Sequence, residues 1–233
     1  AGYFWFETWG RDTFISLPGL LLATGRFEDA RKVLLNFLCY CRQGLIPNCV
    51  EDKCGEPAYN TVDATLWYVN AVLQFLKYTG DFKFVQEQLW EGLKTIADYH
   101  EKGTAFCIQL DGDGLLAHGP RLTWMDAEVD GKAVTPRAGK AVEIQALWYN
   151  ALRTMQLLAN KFEEASIAEK YAGIAREARK SFNEKFWNGE SGFLFDVVDP
   201  SEADASLRPN QVIAVALDFT MLDNDKSKHV VDA

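Results

Sequence analysis

The sequence predicts an all-α fold, an α/α toroid, on three observations. Segments of helical period come in pairs; the first of each pair is apolar nearly all round; the second carries a single apolar stripe. A helix apolar on every side must be buried on every side, whereas a striped helix covers a core from outside. The order buried, striped, buried, striped therefore describes an inner ring of helices wrapped by an outer one.

The elements follow in turn. Ile15 to Thr24 reads as the first inner helix, and Phe27 to Cys41 as its outer partner, with a stripe of Phe27, Ala30, Leu34, Phe37 and Leu38. Thr61 to Tyr78 is the second inner helix. Phe82 to Lys102 is the second outer one, striped by Val85, Leu89, Leu93 and Ile96. Val142 to Ala159 and Glu163 to Trp187 form the third pair, the latter striped by Ala168, Tyr171, Ala175, Ala178 and Phe182. Val212 to Phe219 and Asp225 to Ala233 begin a fourth. Gly25, Gly80, Asp81 and Asn160 punctuate the short turns inside pairs. The links back inward are long: Gln43 to Asn60, Gly103 to Gly139 and Asn188 to Asn210. Long connections on a regular scaffold are where function concentrates. Ala105 to Leu116 and Phe193 to Val198 are expected to form short β-hairpins within them.

Composition narrows the partners. At 233 residues and 48% hydrophobic, residues 1–233 can form one substantial domain. A net charge of -9 argues against nucleic acid, which wants a basic face. The longest apolar run, Phe14 to Ala23, is broken by Ser16, Pro18 and Gly19, so neither a membrane span nor a membrane partner is expected. Cys39, Cys41, Cys49, Cys54 and Cys107 contain no CxxC pair and read as free thiols of a cytoplasmic protein. His100, His118 and His229 lack ligand spacing, and Asp111-Gly-Asp-Gly114 is an incomplete calcium loop. No metal or other cofactor is expected.

Polar residues cluster at the starts of the inner helices. Trp9, Arg11 and Asp12 precede the first, and Tyr59, Asn60 and Asp63 open the second. Trp124, Asp126, Glu128, Lys140 and Glu143 lead into the third, and Arg208, Asn210 and Gln211 into the fourth. Parallel inner helices would bring these groups to one mouth. Carboxylates, amides and guanidinium groups interleaved with Trp and Tyr suit a neutral, hydroxyl-rich ligand, because aromatic faces pack on sugar C–H groups and charged groups bind hydroxyls. Asp126, in "LTWMDAE", has apolar neighbours that favour a general acid. Glu128 reads as solvated or as a loop anchor. Glu143 either pairs with Lys140 or Arg137 or faces the ligand. Arg11 and Asp12 also fit a salt bridge at a helix start with Asp12 as the cap. Trp67 and Trp148 read as core.

Five blocks, "AGYFWFETWGRDTFISLPGLLLATGRFEDARKVL", "NTVDATLWYVNAV", "LTWMDA", "GKAVEIQALWYNAL" and "SLRPNQ", occur in an order that resembles the amylo-α-1,6-glucosidase domain of glycogen debranching enzymes of the prokaryotic type. The resemblance covers nearly the whole chain. It implies a six-hairpin, glucoamylase-like α/α barrel, an inverting mechanism, an α-glucan substrate (glycogen or limit dextrin), Asp126 as general acid, and Arg11 and Asp12 on the terminal glucose. About four of six hairpins are accounted for, so the expectation is a piece of a longer enzyme. The remainder would complete the barrel and supply the general base. A non-catalytic carbohydrate-binding or structural half-barrel, or another glucoamylase-type glycosidase, is the alternative. An epimerase would need rim histidines for proton transfer.

Overall fold

The computed structural model describes residues 7–50, 56–199 and 201–233. The chain divides into two compact units, Ala1–Ala105 and Phe106–Ala233. Among the described residues no helix is long and apolar enough to cross a membrane.

In the first unit α1 (Gly10–Leu17) runs on into a π-helical turn, Pro18–Leu22, followed by α2 (Phe27–Cys39) and α3 (Asp63–Thr79). After α4 (Phe82–Phe84) and a second π-helical turn, Val85–Leu89, comes α5 (Trp90–Lys102). Helix α3 is buried on almost every side, as its composition requires. The outer stripe of Val85, Leu89, Leu93 and Ile96 is buried as expected. Phe14 joins the layers. Its ring lies 4.7 Å from Phe37 of α2 and 5.2 Å from Tyr68 of α3, both edge to face. Arg11 meets Asp63 at one end of α1 and α3, and Phe14 meets Tyr68 further along both, so these inner helices run parallel.

Two expectations for α1 need correction. It starts at Gly10, five residues before Ile15, so Arg11 and Asp12 lie in its first turn rather than ahead of it. Nor is it apolar-buried all round: Phe14, Leu17 and Leu22 are buried, but Ile15 and Leu20 are 49% and 64% exposed. A helix that packs through one face can bury only one stripe. The glycine at its start is required by space, since a Cβ on Gly10 would sit 2.3 Å from the Pro47 carbonyl oxygen. A strand, Thr8–Trp9, pairs antiparallel with Cys49–Val50 and brings that loop against the helix start.

In the second unit α6 (Val142–Lys161) is the buried inner helix and α7 (Ala165–Lys185) its striped cover, through Ala168, Tyr171, Ala175, Ala178 and Phe182. Trp148 is core, its indole N–H donating to the Gly114 carbonyl at 3.2 Å. Helix α8 (Asn210–Ala216) begins two residues earlier and ends three earlier than expected, and Val212 is 47% exposed. Both α6 and α8 start at Asp196, which accepts from Val142 N–H at 2.9 Å and from Asn210 Nδ2 at 2.7 Å, and further along Phe219 N–H, beyond the end of α8, donates to Asn150 Oδ1 midway along α6 at 3.3 Å, so these inner helices also run parallel. Helix α9 (Asn224–Asp232) is capped by Asp223, which accepts from Lys226 N–H at 2.8 Å.

The links carry short strands. Gln109–Leu110 and Leu116–Ala117 form the first expected hairpin. Phe193 to Val198 is not one. Phe193–Leu194 pairs with Trp187–Asn188, and Val197–Val198 pairs with both Ala203–Asp204 and Lys140–Ala141. Alternation within six residues signals strand without revealing the partner. Asn160, expected in a turn, lies within α6, and Glu163 takes the left-handed turn position at φ 62°. Cys39, Cys41 and Cys107 are free thiols, and Cys54 lies outside the described residues.

His100 on α5 is fully buried, and its Nδ1–H donates to the Ile96 carbonyl at 2.8 Å. Burial, only partly offset by that bond, lowers its pKa from 6.5 to about 4. The unfolded chain takes up this proton below pH 6.5, whereas the folded chain does so only near pH 4. Stability should therefore fall on acidification, with this residue contributing a loss of about 2 kcal/mol between pH 6.5 and 5. His100→Gln cannot take up a proton. Chemical denaturation across that window should show a shallower decline for the variant; an unchanged slope refutes the assignment.

Candidate active site

Arg11 does not use its neighbour Asp12. Its Nε donates to Asp63 Oδ2 at 2.7 Å, across 52 residues. Asp63 is 1% exposed, and its other oxygen accepts from the Thr61 hydroxyl at 2.7 Å. The buried carboxylate is thus matched by a guanidinium and a hydroxyl, which a carboxylate taken out of water requires. Asp12 is exposed and makes no cap, and Trp9 holds the N-cap position. With Arg11, Thr13, Ile15, Ser16 and Leu20 it lines a shallow groove of about 390 Å³. Tyr59 is half-buried, donating its hydroxyl to the Tyr40 carbonyl at 2.7 Å, with the Arg42 guanidinium 5.6 Å from its ring centre. Asn60 is exposed.

In the second unit the other candidates surround a buried ionic cluster. Arg137 reaches Glu143 through both terminal nitrogens, Nη2 to Oε2 at 2.6 Å. It also grips Asp196 in bidentate fashion, Nε to Oδ2 at 2.8 Å and Nη2 to Oδ1 at 2.9 Å. All three side chains are 1% exposed. Arg208 closes the cluster outward, its Nη1 donating to Asp196 Oδ2 at 2.5 Å and to Asp204 Oδ2 at 2.6 Å. Burial disfavours the Arg137 cation, but the bonds and charges of Glu143 and Asp196 outweigh it and raise its pKa. Its backbone sits in the left-handed region at φ 47°. Such a conformation persists in a non-glycine residue where the surroundings over-determine it.

The loop that carries Asp126 is fastened to this cluster at three successive residues. The Thr123 hydroxyl accepts from Arg137 Nη1 at 3.1 Å. Trp124 Nε1 donates to Asn210 Oδ1 at 2.8 Å. The Met125 sulfur lies 3.6 Å from Asn210 Nδ2. Asp126 follows, half-buried, beside an indole that is 47% exposed although its N–H is internally bonded. Glu128 forms an ion pair with Arg121, whose Nε also reaches the Asp126 carbonyl at 3.4 Å.

Several expected contacts are structural here. Of the alternatives for Glu143, pairing with Arg137 is present, and its side chain is 1% exposed. Lys140 pairs with Asp111 and Asp113, each at 2.8 Å. Gln211 is buried and accepts from Leu194 N–H at 3.1 Å, tying α8 to the neighbouring strand. Asp196 is the hub of the cluster. Its only signal is an acid within the apolar alternation of "FLFDVVD". Among the described residues no group of three or more His, Cys, Asp or Glu could hold a metal ion.

Residues 1–233 match the sequence model of the family described as amylo-alpha-1,6-glucosidase. The glycogen debranching enzyme of Saccharomyces cerevisiae is 31% identical over 214 residues, which cover 67% of this chain and 14% of the yeast protein. An N,N'-diacetylchitobiose phosphorylase of Vibrio furnissii is 25% identical over 146 residues, covering 61% of this chain and 18% of its own length. The chain thus spans less than a fifth of either relative. Among solved structures, a rhamnosidase from Klebsiella oxytoca with rhamnose bound superposes with a TM-score of 0.69 at 16% identity, over 97% of this chain and 41% of that one. A GH78 family rhamnosidase of Bacillus sp. GL1 gives 0.63 at 16% identity, over 88% and 22%. At that identity they show the fold alone, and they agree with the all-α class of α/α toroids with short strand pairs in the links. With its ordered motifs, its helical hairpins and a match along its entire length, the chain belongs to the amylo-α-1,6-glucosidase family.

Proposed function

We propose that this chain is the acid-bearing part of a glycoside hydrolase that removes α-1,6-linked glucose stubs from a branched α-glucan such as limit dextrin, in the cytoplasm and with inversion. The observation that carries the reading is the loop Thr123 to Asp126. An exposed indole face is held rigid by its own N–H, and a half-buried carboxyl follows two residues later. An aromatic face packs on the C–H side of a pyranose. A carboxyl beside such a ligand is placed to deliver a proton to the leaving oxygen. Asp126 is the general acid. The carboxylate that activates water belongs to a later block of the family, outside residues 1–233. Arg11, braced by Asp63, and Asp12 are hydroxyl-binding groups on the first unit.

The testing experiment follows product stereochemistry. The full-length enzyme, given a dextrin with single α-1,6 glucosyl stubs, should release β-glucose first, seen by proton NMR before mutarotation. First-formed α-glucose would overturn inversion. Glucose 1-phosphate, formed only when phosphate is added, would replace hydrolysis by phosphorolysis, the reaction class of the Vibrio relative.

A further inference from the structure

We infer that Asn210 is a positioning residue for the acid-bearing loop, orienting Trp124 through an amide whose own orientation is set by the buried carboxylate of Asp196. The inference rests on the assignment of Asp126 as general acid. A side-chain amide has a donor end and an acceptor end, and its surroundings decide which way it points. Both carboxyl oxygens of Asp196 already accept from the guanidinium groups of Arg137 and Arg208, so this side chain presents acceptors to its neighbours. Only the NH₂ end of Asn210 can satisfy it, and Nδ2 donates to Asp196 Oδ1 at 2.7 Å. The carbonyl end must then face the other way, where it meets the Trp124 indole N–H at 2.8 Å. An indole nitrogen is a donor only, so the reverse amide would set donor against donor and acceptor against acceptor. Two buried charges thus determine the direction of a neutral hydrogen bond, and that bond determines the plane of the ring beside Asp126.

The geometry gives Asn210 a role other than the ligand contact expected from its position at a helix start. It is 2% exposed, and both ends of its amide are engaged within the protein. The Arg137 bond to Thr123 steadies the loop from the other side, whereas Asn210 acts on the ring itself. Because the loop must hold a carboxyl in line with a leaving oxygen, loss of this bond should cost turnover more than substrate binding. A misplacement of about 1 Å suffices to lose on the order of 10²-fold in rate.

The test uses Asn210→Ala, with Asn183→Ala as the control. Asn183 lies on α7, where its amide donates to the Met221 carbonyl at 3.0 Å, and its loss removes a comparable bond in the same unit away from the loop. Both variants are made in this chain labelled with 5-fluorotryptophan and in the full-length enzyme. Trp124→Phe identifies the Trp124 ¹⁹F resonance. The expected result is that Asn210→Ala shifts or broadens that resonance and lowers kcat roughly 10- to 100-fold, with KM changed by less than about threefold. Asn183→Ala should lower Tm to a similar extent and leave both readouts in place. An unmoved Trp124 resonance overturns the inference, and so does a kcat loss that Asn183→Ala reproduces at equal Tm. If Asp126→Asn proves active while the resonance still moves in Asn210→Ala, the acid assignment has failed and the inference of a catalytic positioning role falls with it. If Asp126→Asn is inactive and Asn210→Ala leaves the resonance in place, the acid assignment stands and the positioning role alone is refuted.

Discussion

Asp126→Asn in the full-length enzyme should lower kcat on an α-1,6-linked glucosyl stub by roughly 10²–10⁴, the usual worth of a positioned general acid. The amide keeps the size and polarity of the carboxyl but has no proton to give to the leaving oxygen. KM should change little, because the indole platform and the loop anchors at Thr123, Trp124 and Met125 are untouched. The leaving group supplies the decisive comparison. α-Glucosyl fluoride departs without protonation and should retain most of its wild-type rate in Asp126→Asn. Glu128→Gln, by contrast, only loosens an exposed pair with Arg121 and should cost less than about threefold, as befits a pair of marginal energy. Near-normal debranching by Asp126→Asn with an inactive Glu128→Gln would move the acid two residues along the loop. For an inverting partner, the second carboxyl should stand roughly 6.5–9.5 Å from Asp126, leaving room for one water.

The largest stability effect should come from Arg137→Met. It strands Glu143 in the interior and strips Asp196 of its bidentate partner. Removing one member of a buried ion pair costs about 3–5 kcal/mol, because the remaining charge is left uncompensated. For a chain of this size that corresponds to a fall in Tm on the order of 10 °C. The double variant Arg137→Met, Glu143→Leu should recover much of the loss, since it replaces a charged pair by an apolar one while Arg208 still serves Asp196. Thermal unfolding of the three proteins checks both statements. A single variant within about 1 kcal/mol of wild type, or a double variant no better than the single, would show that the cluster is hydrated rather than sealed.

The structure explains which of these features the sequence discloses. Helices α3 and α6 are legible to within two residues at either end, because apolar residues on every face leave a helix no exposed alternative. The stripe of α7 is legible for the complementary reason. The start of α1 is not: Trp9 to Asp12 carries polar groups that read as a loop, yet Arg11 is drawn into the helix by a partner far along the chain. Adjacency made Asp12 the natural partner for Arg11, and no local pattern points to Asp63 instead. The half-buried setting of Asp126 is legible through its apolar neighbours. Asp196 is hidden because burial, not sequence context, gives it its significance, and its partners come from two segments distant from it, Arg137 on one side and Arg208 with Asn210 on the other.

The bond between Arg11 and Asp63 also constrains how the nascent polypeptide matures. Its partners are separated by 52 residues, and Phe14 waits likewise for Tyr68. At 5–20 residues per second, roughly 3–10 s of translation separate the emergence of Arg11 from that of Asp63. During that interval the first hairpin has neither its ionic anchor nor the aromatic lid on Phe14, and its greasy face stays accessible to holdases. Slow codons met once residue 68 has cleared the ribosomal exit tunnel would give the unit time to lock before the next hairpin emerges. Slow codons placed before residue 63 would prolong the vulnerable state instead.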